Sequence, residues 1–409
     1  MDTSNINLKA KGLRGFNIQH TLFASFIGYV VQAIGINFAP LLFLTFQRDY
    51  EISIEKITFL VTINFVIQLL MDALSTGFVD KIGYKASAVI AHFFSATGLF
   101  AMAFLPGIME DKYLGLLIAT FLYAIGGGLI EVVVSPIVEA LPIKKKAATM
   151  SLLHSFYSWG HAAVVIVSAL FFLFIGIDKW EILAVIWGLV PFFNAFFYMC
   201  VPVYHLDGEE KGIRMGKLFR MKFFWIMLVL MLGAGAAEQA VSQWASVFAE
   251  MGLGVSKTVG DIAGPCTFAI LMGISRVFYA KCGSKVNLSI FMLWSGVLCL
   301  FGYLLAALSP IPVIGLIGCA ICGLSVGIMW PGTFNLAAGG LKGSTTGMFA
   351  VLALAGDAGC TLGPTLVGMV SGRMNNSMQA GILTATVFPT IIIIFLLLYK
   401  REMRTKAKD

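Results

Sequence analysis

Charge is scarce in this chain of 409 residues. Asp, Glu, Lys and Arg together make up 12% of it, whereas apolar and aromatic residues reach 59%. Soluble globular domains carry roughly twice that share of charge. The composition therefore excludes an ordinary soluble protein and leaves room for about twelve apolar helices of ~20 residues that each cross a bilayer. We predict membrane spans at residues 18–46, 55–78, 86–106, 114–142, 147–176, 181–203, 222–250, 258–280, 286–308, 312–339, 344–372 and 377–399.

The sequence patterns that accompany catalysis and metal binding are also missing. The chain has no nucleophile elbow, phosphate-binding loop or Gly-rich dinucleotide turn, and no group of His, Cys and carboxylate residues with zinc spacing. The seven cysteines lie in or at the ends of apolar spans, so we expect no disulfide framework. Cys319 and Cys322 have CxxC spacing, which we interpret as small-residue packing in a membrane helix. We therefore predict no enzymatic activity, no cofactor and no metal site.

The basic residues lie mainly at the termini and in alternate loops between the spans, a pattern that indicates membrane topology and not a nucleic-acid-binding surface. The net charge is +7, and most of the 28 Lys and Arg residues lie before span 1, in alternate loops and after the last span. The positive-inside rule places these segments on the cytoplasmic side. We predict a multi-pass protein with both termini in the cytoplasm, with the lipid bilayer and a small-molecule substrate as partners and no nucleic acid. A bacterial inner membrane and a monomer are expected; an internal membrane of a eukaryote is the open alternative.

The two halves of the chain repeat each other faintly. Residues 205–220 form the longest polar interruption, and they lie between spans 6 and 7. Residues 80–85 are echoed by 281–285, a shift of 200, and Lys146 and His161 fall opposite Lys342 and Asp357, a shift of 196. We predict an all-α membrane protein with two pseudo-symmetric six-helix bundles, residues 1–205 and 222–409, joined by a cytoplasmic linker at 206–221.

Residues 77–85 resemble the loop 2–3 signature of the major facilitator superfamily, with Gly77, Asp80 and Lys81 at its spacing. Parallel six-helix halves around a midplane site are also the arrangement of that superfamily. The resemblance implies a cytoplasmic latch in which Asp80 is the acid and Gly77 allows close helix approach. An ordinary solvated loop charge is the alternative for Asp80 and Lys81. Arg276, inside span 8, is interpreted as a latch residue or a counter-ion to an acid, ahead of a substrate ligand.

Three segments resemble the fucose/galactose/glucose–proton symporter family. They are residues 126–136 in span 4, with three glycines, Glu131 and Ser135, residues 153–160 in span 5, and residues 323–337 in span 10. The resemblance implies proton-coupled uptake of a monosaccharide or a similar small polyhydroxylated solute by alternating access. Ser135 and Trp330 stand where that family has Asn and Phe, so the substrate stays open.

Ionisable residues inside the apolar spans are the candidates for ion coupling. Glu131 lies in the run 114–142, where a charge costs at least ~2.5–3.5 kcal/mol and normally faces a protein-lined cavity. A carboxylate or histidine that only holds helices together is the alternative, and Asp72 is a weaker candidate near the cytoplasmic end. The coupling ion is a proton, with sodium left open. The proton-coupling candidates are Glu131, Glu238, Asp357, His154 and His161.

Polar and aromatic side chains in the spans are the candidates for substrate binding. Asn64, Gln68 and Asp72 recur every four residues and therefore share one helix face. Amides bind hydroxyl groups as donors and acceptors, and an indole covers the C–H face of a sugar. Lipid-facing positions are the alternative for the tryptophans. The substrate-binding candidates are Gln32, Asn37, Asn64, Gln68, Glu131, Ser135, His154, Trp159, Glu238, Gln239, Gln243, Trp244, Trp330 and Asn335.

Three functional classes compete. Sugar–proton uptake is the leading interpretation. The second class is an exporter or transporter of another cargo, such as an organic acid, a peptide, a lipid or a drug, on the same scaffold. A membrane enzyme or a channel is the third, and neither the missing catalytic motifs nor the duplicated six-helix plan favours it.

Overall fold

The structure, a computed structural model, describes residues 12–143, 146–204, 215–282, 286–340 and 346–406. Helices and turns make up these ranges, without a strand. All twelve predicted spans are confirmed, with ends that differ by a few residues from the prediction. The spans, numbered 1 to 12 below, are Ile18–Tyr50, Ile54–Ser75, Tyr84–Ile108, Lys112–Glu139, Leu152–Phe174, Ile177–Cys200, Lys222–Ser242, Lys257–Tyr279, Leu288–Leu308, Pro312–Gly340, Met348–Arg373 and Met378–Met403.

Several spans are interrupted where the backbone cannot continue one regular helix. In span 1, Pro40 lies in the first turn of a 3-10 segment, Ala39–Leu42, because proline has no backbone N–H to donate. Span 7 ends at Ser242, which makes it shorter than the predicted 222–250, and is followed by the π-helical turn Phe248–Gly252.

The α-helices of the described residues are Ile18–Asn37, Phe43–Tyr50, Ile54–Ile82, Tyr84–Ile108, Lys112–Glu139, Lys146–Phe174, Trp180–Cys200, Met215–Leu218, Lys222–Ser242, Ala245–Val247, Lys257–Asp261, Thr267–Cys282, Leu288–Leu308, Pro312–Val326, Met329–Gly340, Thr346–Arg373, Met378–Thr384 and Val387–Lys406.

The chain divides into two compact units. Unit 1 comprises Met1–Gly35, Leu70–Gly160 and Glu181–Glu209, and unit 2 comprises Ile36–Leu69, His161–Trp180 and Glu210–Asp409. Unit 2 thus combines spans 7 to 12 with segments of spans 1, 2, 5 and 6. The division into two six-helix bundles with a linker at 206–221 stays a prediction, and most of that linker lies outside the described residues.

Spans 3 and 4 of unit 1 approach each other at glycines. A Cβ atom built at Gly98 would meet the backbone N of Tyr123, and one built at Gly126 would lie 2.5 Å from the backbone N of Ser95. Real Cβ atoms do not come that close, so only glycine allows the two backbones this separation. Close packing through small residues is how membrane helices associate, because lipid tails provide no hydrophobic drive between them. These contacts hold span 4, and with it Glu131, at a fixed rotation.

A Gly126→Leu substitution tests this contact. Because the new side chain meets backbone atoms of span 3, we expect a loss of at least about 1–3 kcal/mol of stability, the usual cost of overpacking. The melting temperature of the purified protein in detergent measures the loss. Gly107→Leu is the matched control. Gly107 lies on span 3, and no described atom lies within 4 Å of a Cβ built there. Equal melting temperatures for the two variants would show that spans 3 and 4 are not in close contact at Gly126.

In unit 2, spans 7 and 11 pack in the same manner. A Cβ atom at Gly235 would meet the carbonyl oxygen of Gly356, and one at Gly359 would lie 2.8 Å from the backbone N of Ala236. The indole N–H of Trp244 donates to the carbonyl oxygen of Pro364 at 2.9 Å. This packing places Glu238 of span 7 and Asp357 of span 11 on neighbouring helices.

Candidate functional site

Glu131 is the centre of the polar cluster in unit 1. The Nε2 of Gln32 on span 1 donates to Oε2 of Glu131 on span 4 at 2.8 Å. The carboxyl group of Asp72 on span 2 has an oxygen within 4.8 Å of a Glu131 oxygen. Both acids are half-buried. Three spans therefore converge on a pair of carboxyl groups, and Asp72, the weaker candidate from sequence, is one of the pair.

Tyr29 joins two more of the predicted residues in unit 1. Its hydroxyl lies 2.9 Å from Oγ of Ser135 and 3.1 Å from Nδ1 of His154. Tyr29 is buried, with 5% of its surface exposed, whereas His154 is exposed. Tyr29 was missed from the sequence because tyrosine hydroxyls were not considered as candidate ligands. Its spacing of three residues from Gln32 puts both on one face of span 1, and this signal could have found it.

Unit 2 holds a chain of hydrogen bonds that begins at Arg276. Its Nη2 donates to Oε2 of Glu238 at 3.4 Å, and the Nε2 of Gln239 donates to the other oxygen of that carboxylate at 3.4 Å. The Nε2 of Gln243 then lies 3.2 Å from the amide oxygen of Gln239 and 3.3 Å from the carbonyl oxygen of Ile36. Span 8, span 7 and the end of the first helix of span 1 are thus joined through one acid and two amides, all three of which are buried.

Three more of the predicted amides, Asn37, Asn64 and Gln68, and the second predicted histidine, His161, are also buried in unit 2. Gln68 donates to Asn64 at 3.0 Å on the face of span 2 that the four-residue spacing predicts. Asn37 is 2% exposed. His161 is equally buried, with its ring centroid 6.4 Å from that of Phe268.

Asp357 lies on span 11 beside a ring contact. A Cβ atom on the preceding Gly356 would meet the indole of Trp330, so this tryptophan packs on the span 11 backbone next to the acid. Asp357 is 7% exposed. Trp330 is half-buried and packs edge-on against Phe334, with centroids 6.3 Å apart. Trp330 is thus a tryptophan candidate that packs beside a predicted coupling acid within unit 2.

The remaining substrate candidates lie apart from these clusters. Trp244 is fully buried and packs against Phe43 at 5.6 Å, so stacking on a cargo would require that packing to open. Trp159 has 40% of its surface exposed, as the lipid-facing alternative predicts. Asn335 is exposed and donates to the hydroxyl of Tyr279 at 3.3 Å.

The predicted latch is described only in part. No described atom lies within 4 Å of a Cβ built at Gly77, so the close helix approach expected there is not found. Lys81 is exposed, so its charge is solvated, but it lies in the last turn of the helix Ile54–Ile82 and not in a loop. The side chain of Asp80 lies outside the described residues. Arg276 contacts Glu238, which supports the counter-ion interpretation over the latch interpretation.

A charged cluster near the start of span 8 was missed by the sequence analysis. Nζ of Lys257 lies 2.9 Å from Oδ2 of Asp261, 3.2 Å from Oε1 of Glu250 and 3.0 Å from Oγ of Ser246. Ser246 also donates to Asp261 at 2.6 Å, and Asp261 has no exposed surface. Burial raises the pKa of Glu250, which lies between spans 7 and 8, and the charge of Lys257 opposes that shift. The spacing of four residues between Lys257 and Asp261 could have indicated an ion pair on one helix face.

A buried histidine in unit 1 was also missed. Nδ1 of His92 lies 2.7 Å from the carbonyl oxygen of Ala88 and therefore carries the proton, so Nε2 accepts from Nδ2 of Asn194 at 2.8 Å. The same Nδ2 donates to the carbonyl oxygen of Ala24 at 3.1 Å. These bonds connect spans 1, 3 and 6 and have a structural role.

Comparisons with known proteins agree with the fold. The sequence matches the family profile described as Major Facilitator Superfamily over residues 21–364. No curated protein sequence matches the chain. Among solved structures, the E. coli fucose:proton symporter is 18% identical, with a TM-score of 0.64 over 94% of this chain and 99% of the other. A D-xylose–proton symporter is 12% identical, with a TM-score of 0.76 over 93% and 97%. A bacterial homologue of the human lysosomal transporter Spinster, inward-facing and occupied, is 14% identical, with a TM-score of 0.72 over 94% and 97%. At such identities the likeness to these structures shows the fold alone.

Proposed function

The chain belongs to the major facilitator superfamily and is a multi-pass membrane transporter, and from that premise we propose that it takes up a monosaccharide or a similar small polyhydroxylated solute together with a proton. Two of the solved structures that share its fold are sugar–proton symporters. A third is a homologue of Spinster, so the fold by itself does not select the cargo. The support for this proposal comes from the side chains in the spans.

The Asp72–Glu131 pair carries the proposal of proton coupling. Two ionised carboxylates within 4.8 Å repel each other by about 3 kcal/mol at an effective dielectric constant near 20. A single proton between the two groups removes this repulsion, so the pair is suited to bind one proton and to release it when its surroundings change. A rocking bundle changes those surroundings during each transport cycle.

The polar groups around the pair suit a cargo with many hydroxyl groups. Gln32 contributes an amide next to Glu131, and Tyr29 and Ser135 contribute hydroxyl groups within 2.9 Å of each other. Amides and hydroxyl groups both donate and accept hydrogen bonds, as the ring hydroxyls of a sugar require.

Uptake by the purified protein in liposomes tests the proposed function. With an inward proton gradient and a panel of monosaccharides, we expect one sugar to accumulate above its equilibrium level and the accumulation to collapse with a protonophore. A sodium gradient in place of the proton gradient identifies the coupling ion. If folded protein takes up no sugar under either gradient, the proposal fails and a non-sugar cargo, such as an organic acid, a peptide, a lipid or a drug, takes its place.

A further inference from the structure

The contact of Arg276 with Glu238 is longer than the optimum for a guanidinium and a carboxylate. A guanidinium and a carboxylate in their preferred arrangement form two parallel hydrogen bonds of about 2.7–2.9 Å. The contact here runs from Nη2 of Arg276 to Oε2 of Glu238 at 3.4 Å. The side chains are 17% and 9% exposed. The pair is thus mostly buried, partly accessible, and longer than the optimum for its two groups.

We propose that Arg276 binds the carboxylate of an acidic sugar, a hexuronate or an aldonate, and that this carboxylate replaces Glu238 as the partner of the guanidinium. The inference rests on the proposed function and narrows its substrate class to polyhydroxylated acids. Arginine recognises carboxylates through its rigid fork of donors, which lysine lacks. A cargo carboxylate that forms two parallel hydrogen bonds with Arg276 would interact with it more strongly than Glu238 does through its 3.4 Å contact.

The groups that continue from this ion pair suit the rest of such a cargo. Gln239 contacts Glu238 at 3.4 Å, and Gln243 contacts Gln239 at 3.2 Å. Both amides are buried on span 7 and can exchange their bonds to each other for bonds to hydroxyl groups. A carboxylate site followed by amides along one helix therefore matches a molecule with an acid group at one end and hydroxyl groups along its length.

The exchange of partners also couples the cargo to a proton. When the cargo carboxylate pairs with Arg276, the buried Glu238 loses its cation, and an uncompensated buried carboxylate is costly. Glu238 then takes up one proton from the aqueous phase. The negative charge of the cargo and the added proton cancel, so the net charge of the site is unchanged. Titratable groups around Glu238 in the described part of the chain include His161, which lies close to Arg276, and Tyr303, whose hydroxyl donates to the carbonyl oxygen of Ala237 on span 7. Asp357 and Cys360 lie on span 11, which packs against span 7.

Binding to the purified full-length protein tests the inference. We compare each acid of a panel of hexuronates and aldonates with the neutral hexose of the same configuration. The best acid is expected to bind at least about tenfold more tightly than its neutral counterpart, the usual advantage of a charge-assisted hydrogen bond. Arg276→Gln is expected to remove that advantage and to leave the affinity for the neutral sugar unchanged. Arg373→Gln, which removes an exposed arginine at the end of span 11, is the matched control and is expected to change neither affinity.

Proton uptake separates a direct role of Glu238 from a structural one. In weakly buffered solution, wild-type protein is expected to take up about one proton for each acid bound. In Glu238→Gln, which binds the acid at least as tightly because the competing carboxylate is gone, this uptake is lost. Glu110→Gln, at an exposed position, keeps it. If Arg276→Gln does not fold, the double variant Arg276→Gln/Glu238→Gln removes both charges together, and it is expected to bind acid and neutral sugar equally.

Each outcome decides between the two proposals. Acids that bind no more tightly than neutral sugars overturn this inference, and so does an Arg276→Gln protein that is folded and loses both ligands alike. In either case, proton-driven uptake of a neutral sugar leaves the proposed function intact. If neither acids nor neutral sugars bind or enter liposomes, both proposals fail.

Discussion

A Glu131→Gln protein is expected to exchange cargo between equilibrated compartments while it no longer accumulates cargo against a gradient. In the wild-type protein, Nε2 of Gln32 lies 2.8 Å from the carboxylate oxygen of Glu131. Glutamine has the size of glutamate, and its amide oxygen can still accept this hydrogen bond. It cannot carry a proton, so the energetic link between the proton gradient and the cargo is lost. For a neutral sugar, which leaves the Arg276–Glu238 pair in place, the ratio of internal to external cargo should therefore fall to about one, whatever the proton gradient, because a transporter without coupling only equilibrates its cargo.

Liposome assays of net uptake and of counterflow measure the two activities separately. Asp72→Asn is expected to act in the same direction, since Asp72 and Glu131 have carboxyl oxygens within 4.8 Å of each other and share the proton. Glu139→Gln is the matched control, because it makes the same change at an exposed position on span 4. Wild-type accumulation in the Glu131→Gln protein would remove this acid from the mechanism.

A Lys257→Met protein is expected to lose about 3–5 kcal/mol of its free energy of unfolding, the usual result when one partner of a buried ion pair is removed. In the wild-type protein, Nζ of Lys257 lies 2.9 Å from the fully buried Asp261. Methionine keeps the length of the side chain but leaves Asp261 without its cation. Glu250, 3.2 Å from the same nitrogen, is also left without it. A loss of this size is a large part of the 5–15 kcal/mol by which proteins are usually stable.

The loss should depend on pH. Burial already raises the pKa of Glu250, and removal of Lys257 takes away the charge that opposes this shift. A carboxyl group with a raised pKa in the folded state contributes stability at low pH, and that contribution is lost as the pH rises through the raised value. The Lys257→Met protein should therefore be closer to wild type at low pH than at neutral pH.

Unfolding curves in a mixed detergent system, recorded at several pH values, measure this effect. Lys179→Met changes an exposed lysine in the 3-10 turn at the start of span 6 and should be neutral. The double variant Lys257→Met/Asp261→Asn should recover part of the loss, because the fully buried carboxylate of Asp261 is then replaced by a neutral amide. A Lys257→Met protein as stable as the Lys179→Met control would show that the cluster contributes nothing to the fold.

The number and position of the membrane spans could be predicted from the sequence because each span must meet the demands of the bilayer with its own residues. A segment that crosses lipid must satisfy its own backbone hydrogen bonds and expose apolar side chains, so length and hydropathy are sufficient to find it. For the same reason Glu131, Glu238 and Asp357 stood out as acids within apolar runs. The four-residue spacing of Asn64 and Gln68 also predicted their contact, which the structure shows at 3.0 Å.

The pairing of these side chains between spans required the tertiary structure. Which acid meets which depends on the rotation and tilt of each helix, and neighbouring helices set both through close contacts such as Gly126 with Ser95. The hydropathy of a span does not predict how its helix is rotated. The proximity of Asp72 to Glu131, the contact of Arg276 with Glu238 and the place of Tyr29 beside Ser135 therefore became visible only when the helices were packed.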